Sequence, residues 1–241
     1  MTAATLTAPL SPRRRMIARA LRHKGLMFSS VILGLMVLIA IFAPLLAPND
    51  PYKQNLLARM KPPVWMGGTD KNLLGTDALG RDMLSRLIYG ARVSLGIGII
   101  SAGVSAVIGS VMGICAGYFG GRVDRFVQYL INVRLAMPVI LVALATVSLL
   151  GGSLLIITMV MGLLLWDRFA VVLRAATMQV RSQEYIAAAE MLGARQSRIL
   201  WKDVLPNVSS HLIVIFTLEM AHAIILEAGL SFLGLGVQPP T

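Results

Sequence analysis

Apolar positions in this chain run in long unbroken blocks, and polar positions collect in the connections between them. A helix that crosses about 30 Å of hydrocarbon needs roughly 20 apolar residues at about 1.5 Å each. Five stretches meet that need: 27–47, 93–119, 127–150, 153–173 and 211–235. Pro138 falls inside the third and is expected to kink it, unless a helix begins there. Only Gly151-Gly152 separates the third from the fourth, which predicts a tight helical hairpin. The fold class is all-α, a polytopic transmembrane helical bundle. Its parts are a tail over 1–26, a first span over 27–47, a loop over 48–92, and a core over 93–241 that carries a polar segment at 174–210.

Three patterns inside the spans qualify this outline. Gly96, Gly98, Gly103, Gly109, Gly113 and Gly117 line the second span, and the Gly109-x3-Gly113-x3-Gly117 spacing suits close helix packing. Glu219, His222 and Glu227, at i, i+3 and i+8, share roughly one face of the fifth. Ionisable groups in spans are costly and point to function. Two carboxylates and an imidazole suit nickel or zinc; the other readings are a neutral hydrogen-bonded cluster and a polar lining. Asp167-Arg168, near the end of the fourth span, is expected to form a local ion pair.

Composition supports lipid as the solvent. The 241 residues are 56% hydrophobic and 14% charged, against about a quarter charged in soluble domains, with mean hydropathy +0.76. The net charge is +11. Aromatics are sparse and the basic residues lie between apolar runs, so topogenic charge and anionic membrane lipid explain it better than nucleic acid. Arg13, Arg14, Arg15, Arg19, Arg22 and Lys24, with no acid among them, put the N-terminus in the cytoplasm. Lys53, Arg59, Lys61, Lys71, Arg81, Arg86 and Arg92 dilute the rule, so orientation rests on that first cluster. It makes 48–92 and 151–152 external, and 120–126 and 174–210 internal. The first apolar run is too long for a signal-peptide core and should remain as an anchor. Cys115, the only cysteine, excludes an intramolecular disulfide.

The segment EYIAAAEMLGARQSRILWKDVLP, 184–206, is polar and helical at once. Glu184, Ala187, Ala188, Ala189, Glu190, Met191 and Leu192 favour helix, and Gly193 suits a C′ position where positive φ costs nothing. A second helix over 195–205 puts Ile199, Leu200, Val204 and Leu205 on one stripe, with Arg198 and Lys202 on a basic face and Pro206 as its stop. Such a segment either lies on headgroups or docks as a helix–turn–helix in a groove of a cytoplasmic partner. The three alanines favour docking, because small side chains let another surface approach the backbone. In 73–95, Asp82 to Tyr89 can form an amphipathic helix capped by Thr76 or Asp77 and lying at the interface.

The Ala-Ala pair, the glycine four residues on, and Leu205-Pro206 beyond it resemble the EAA loop of permease subunits of bacterial ABC importers. Ala187, Ala188 and Ala189 take the EAA positions, Gly193 the glycine, and Leu205-Pro206 the closing pair. Ala187 replaces a Glu, for which Glu184 or Glu190 can substitute, and Asp203 stands where Ile is usual. LLGTDALGRDMLSRLIYGARVSL (73–95) and EAGLSFLGLGVQPPT (227–241) resemble the C-type permease of the dipeptide, oligopeptide and nickel importers. The resemblance runs from about residue 24 to the end.

It implies the type I importer permease fold, with a sixth span expected beyond the five visible. It implies a pathway shared with a second homologous permease, one or two ATPase subunits docked on 184–206, and an external substrate-binding protein. Asp77, Arg81 and Asp82 are then either a structural brace or contacts for that protein, and Glu219, His222 and Glu227 become a pathway lining. No Gly-rich phosphate loop, nucleophile–base pairing or HExxH occurs, so no catalysis and no cofactor are expected in this chain; ATP and Mg belong to the ATPase. The solute is a di- or oligopeptide, nickel or another small solute. The rivals are a proton-coupled secondary transporter relaying through Glu219, His222 and Glu227, and an intramembrane enzyme.

Overall fold

The computed structural model describes residues 23–234 and 236. The Arg13–Arg22 cluster and most of the closing motif 235–241 lie outside the described residues. The chain divides into two compact units, one ending at Arg92 and the other starting at Val93.

The first unit begins with α1 (Lys24–Ile41) and the short α2 (Ala43–Leu46). Almost every side chain of α1 is exposed and apolar, which suits a helix surrounded by lipid. A folded loop follows. Thr76 pairs with Asp82 in an isolated antiparallel bridge, and the Asn49 N–H donates to Ser85 Oγ at 3.1 Å. Gly75 and Gly80 sit where a Cβ would strike the backbone of Lys61 and Asn55.

The next helix, α3 (Met83–Phe119), is one piece of 37 residues, about 55 Å at 1.5 Å per residue. The separate interfacial helix expected over 82–89 is therefore its first turns. Asp82, not Thr76 or Asp77, caps it: its Oδ2 accepts from the Ser85 N–H at 2.9 Å and from Ser85 Oγ at 2.7 Å.

In the second unit, the stretch expected as a third span is two helices, α4 (Gly121–Leu135) and α5 (Val139–Leu150), bent by 79°. Pro138 has no N–H and disfavours helix in the residue before it, so α5 starts after it. The α4 helix carries Arg122, Asp124, Arg125, Gln128 and Asn132, too polar a set for lipid. It buries Val127 and Ile131 with Ala116 and Ala170, and Arg174 forks onto Asp124, with Nη2 to Oδ2 at 2.8 Å. Gly151 turns the chain at φ +97° and Ser153 caps α6 (Leu154–Leu164). The α5–α6 hairpin is as tight as expected, sharing a core of Ala143, Val147, Ile157 and Met161 with Ala223 and Leu230.

The chain breaks at Leu165 and re-forms as α7 (Trp166–Arg181), so the helix runs past the expected end at 173. After α8 (Glu184–Met191) and α9 (Gln196–Ile199), a π turn over Leu200–Val204 leads straight into α10 (Leu205–Phe232). Pro206 does not stop this run. It sits in the first turn of α10, where its missing donor costs little, and the Leu205 N–H reaches back five residues to Leu200 O. Among the described residues four runs are long and apolar enough to cross a membrane, Lys24–Ile41, Met83–Phe119, Leu154–Arg181 and Gln196–Phe232; the bent pair makes a fifth if it counts as one span.

Three of the six glycines of the second span hold the bundle. A Cβ on Gly109, Gly113 or Gly117 would lie 2.3, 2.6 or 2.6 Å from the carbonyl oxygens of Trp166, Ala170 and Arg174. The spacing of four on α3 matches one backbone stripe of α7. Gly98 abuts Met220 and Ile224 of α10, whereas Gly96 and Gly103 face open space. Ser101 and Ser105 donate to the carbonyls of Thr158 and Gly162 at 3.0 and 2.7 Å and extend the seam along α6.

Candidate functional site

The α8–α9 segment presents a compact surface on a rigid root. At the end of α8, the Gly193 N–H reaches Glu190 O and the Ala194 N–H reaches Ala189 O, both at 3.0 Å. This is the paired closure of a helix by a left-handed residue, and Gly193 supplies it at φ +76°. The turn aims α9 back at the bundle. Ile186, Ile199, Val204 and Val208 are buried with Tyr118, Leu173 and Ala176, so the loop shares one core with α3, α7 and α10. Ile199 and Val204 keep the apolar stripe read from the sequence.

The outward side has the opposite chemistry. Met191 and Leu192 project at 84% and 88% exposure, and Trp201 is exposed as well. Ala187 and Ala188 are exposed, while Ala189 packs into the core. Arg195, Arg198 and Lys202 are exposed and form no ion pair among the described residues, and Asp203 shares their rim. The two acids differ: Glu190 accepts a hydrogen bond from Tyr118 Oη at 3.2 Å, whereas Glu184 is exposed and makes no such bond among the described residues. Leu205 and Pro206 lie in the first turn of α10. The bond from Tyr118 has no sequence signal, because it joins residues 72 apart.

In the spans, the structure brings together part of the expected polar set. Glu219 is buried at 1% exposure and accepts from Arg168 Nη1 at 3.0 Å, and His222 Nδ1 lies 3.4 Å from its other oxygen. Glu227 stays apart and accepts from Ser231 Oγ, one turn further on, at 2.8 Å. Arg168 does not pair with its neighbour Asp167. Successive residues on a helix point about 100° apart, so Arg168 faces α10 while Asp167 is buried. The sequence offered Arg168 only as half of a local ion pair near the end of the fourth span; which helix it faces needed the packing of α7 on α10.

In the 48–92 loop, Asp77, Arg81 and Asp82 are turned into the loop. Asp77 holds the Arg81 and Leu79 N–H groups and the guanidinium groups of Arg81 and Arg86. Asp82 adds Asn72 Nδ2 at 2.9 Å to its capping bonds. Burial alone pushes both carboxyls up, but these donors outweigh it and hold both below the ordinary aspartate value. Arg81 and Asp82, at 9% and 3% exposure, brace the loop and offer a partner little surface.

Comparison with known proteins agrees with this architecture. Residues 109–241 match the model of the binding-protein-dependent transport system inner membrane component, and residues 11–63 match the N-terminal TM domain of oligopeptide transport permease C. The dipeptide transport system permease protein DppC of Haemophilus influenzae is 36% identical over 235 residues, covering 97% of this chain and 80% of the relative. The di/tripeptide transport system permease protein DppC of Pseudomonas aeruginosa is 39% identical, covering 96% and 77%. The oligopeptide transport system permease protein OppC of Bacillus subtilis is 36% identical, covering 90% and 70%. With its several apolar helices, the chain belongs to the family of binding-protein-dependent transport system inner membrane components, as a multi-pass permease.

Proposed function

We propose that this chain is one of two permease subunits of an ATP-driven importer of di- or oligopeptides, with its N-terminus in the cytoplasm. The observation that carries the reading is the α8–α9 surface: an apolar knob and an unpaired basic rim on a core shared by three spans. Such a surface transmits force, because moving it moves α3, α7 and α10 together. One or two ATPase subunits would receive Met191 and Leu192 in a cleft, with Glu184 as the free acid at its edge, and would supply the ATP and Mg chemistry that this chain lacks motifs for. ATP-driven closure of the ATPase pair would carry the loop inward and tilt the permeases outward; an external binding protein would deliver the solute. Peptides are preferred over nickel because the relatives carry peptides in their names.

Replacing Gly193 with Val tests the coupling role. Nothing lies within 4 Å of a Cβ there, so any defect comes from positive φ, which a β-branched residue tolerates poorly. Membrane insertion should be intact, and ATPase activity should no longer follow substrate. A tagged chain that never retains an ATPase in mild detergent, or a variant that transports normally, sinks the reading.

A further inference from the structure

Most exposed surface of the second unit's spans is aliphatic: Ile99, Ile100, Val107 and Val111 on α3, and Leu141, Leu149 and Leu155 on α5 and α6. One face differs. The outer stripe of α7 reads Arg168, Val172, Ala175 and Gln179, at helical spacing and all exposed. Towards the α8 end, Gln179 and Gln183 meet Tyr185, Asn207 and His211 around an open cavity of about 320 Å³.

Arg168 stands at the other end of this track. It lies 14 residues beyond Leu154 and Glu219 lies 13 before Phe232, so each is roughly 20 Å along its run at 1.5 Å per residue, well inside about 30 Å of hydrocarbon. An arginine side chain 57% exposed at that depth is costly against lipid and acceptable in water. Among the described residues only its Nη1 is used, by the buried Glu219. Glu219 holds the side chain and is itself approached by His222 Nδ1 at 3.4 Å, which leaves the rest of a planar fork that fits a carboxylate.

We propose that the α7–α10 face lines the solute pathway and that Arg168 engages a carboxylate of the passing solute. The proposal deepens the peptide-permease reading and rests on it. Every peptide with a free C-terminus carries such a group, whatever its side chains, so one arginine serves a mixed substrate set.

The test uses the intact complex, purified with its partner subunits, placed in liposomes and carrying Cys115→Ser. Ala175→Cys reports on the pathway face and Ile99→Cys on the lipid face. Sulfonatoethyl methanethiosulfonate, an anion, and trimethylammonioethyl methanethiosulfonate, a cation, are the probes. With each rate taken relative to that reagent's rate on a free thiol in solution, residue 175 should react about tenfold faster with the anion, as charge focusing in a cleft gives; residue 99 should react with neither. Arg168→Gln combined with Glu219→Gln, which leaves no buried charge unpaired, should abolish the preference and lower dipeptide uptake about tenfold or more. Arg168→Lys should keep the preference. A complex that takes up dipeptide while residue 175 is inert, or reacts equally with both reagents, overturns this proposal alone and leaves the face to the second permease. Absence of dipeptide uptake by the unaltered complex overturns the underlying reading, and this proposal with it.

Discussion

At the scale of single residues, glycines on one helix behave oppositely according to what they face. Gly113 meets Ala170 O, Ala170 Cα and Arg174 N at 2.6–3.1 Å from a built Cβ, and backbone cannot swing aside as a flexible side chain can. Gly113→Ala should therefore force α3 and α7 apart and lower the stability of the solubilised protein by about 1–3 kcal/mol, as overpacking does. Gly103, with nothing within 4 Å, should gain up to about 1 kcal/mol as Ala from helix propensity. Unfolding in graded denaturing detergent compares the two, and equal shifts would remove the seam as an explanation. The Gly109–Gly117 spacing identified a packing stripe in the sequence; that Gly96 and Gly103 lie off it emerged only with the neighbouring helices in place.

At the scale of elements, the 48–92 loop depends on two carboxylates that cap and brace the start of α3. Both titrate below the ordinary aspartate value, about 3.9, because donors to the ionised form outweigh burial. Between the folded and ordinary values the unfolded loop binds more protons than the folded one. Its stability should stay level as pH drops from 7 towards the ordinary value, then decline as pH falls through the lower folded values. Hydrogen exchange at the Ser85 amide, bonded to Asp82, reads this directly, and loss of protection near pH 6 would contradict it. Asp82→Ala should remove the cap at a cost of about 1 kcal/mol. The residue types here marked a capped helix in the sequence, but Asp77 and Asp82 exchanged roles: Asp77 gathers Arg81 and Arg86 while Asp82 takes the N-terminus. Two nearby aspartates offer the same local chemistry, and only the path of the loop distinguishes them.

At the scale of the whole molecule, the proposed coupling role needs the 184–206 surface and the helices it is packed on to move together. Ile199, buried at 0% beside Ile186 and Leu173, joins them. Ile199→Ala should cost about 2–5 kcal/mol and loosen the loop, giving ATP hydrolysis that responds less to substrate while the complex still assembles. Tight coupling in that variant would place force transmission elsewhere. The sequence by itself determined the helical class, the positions of most spans, the α5–α6 hairpin and the helical 184–206 segment with Gly193 as the closure of its first helix. Those features depend on hydropathy, on local propensity and on the φ that only glycine adopts freely, all written within a few turns of chain. Tertiary structure decided that α4 lies against α7 while α5 alone is apolar, that the helix runs on through Pro206 by way of a π turn, and that Arg168 pairs with Glu219 while Glu227 stands apart. Those outcomes depend on which faces of distant helices meet, and the partner of a charge 51 residues away is a property of packing, not of any local window.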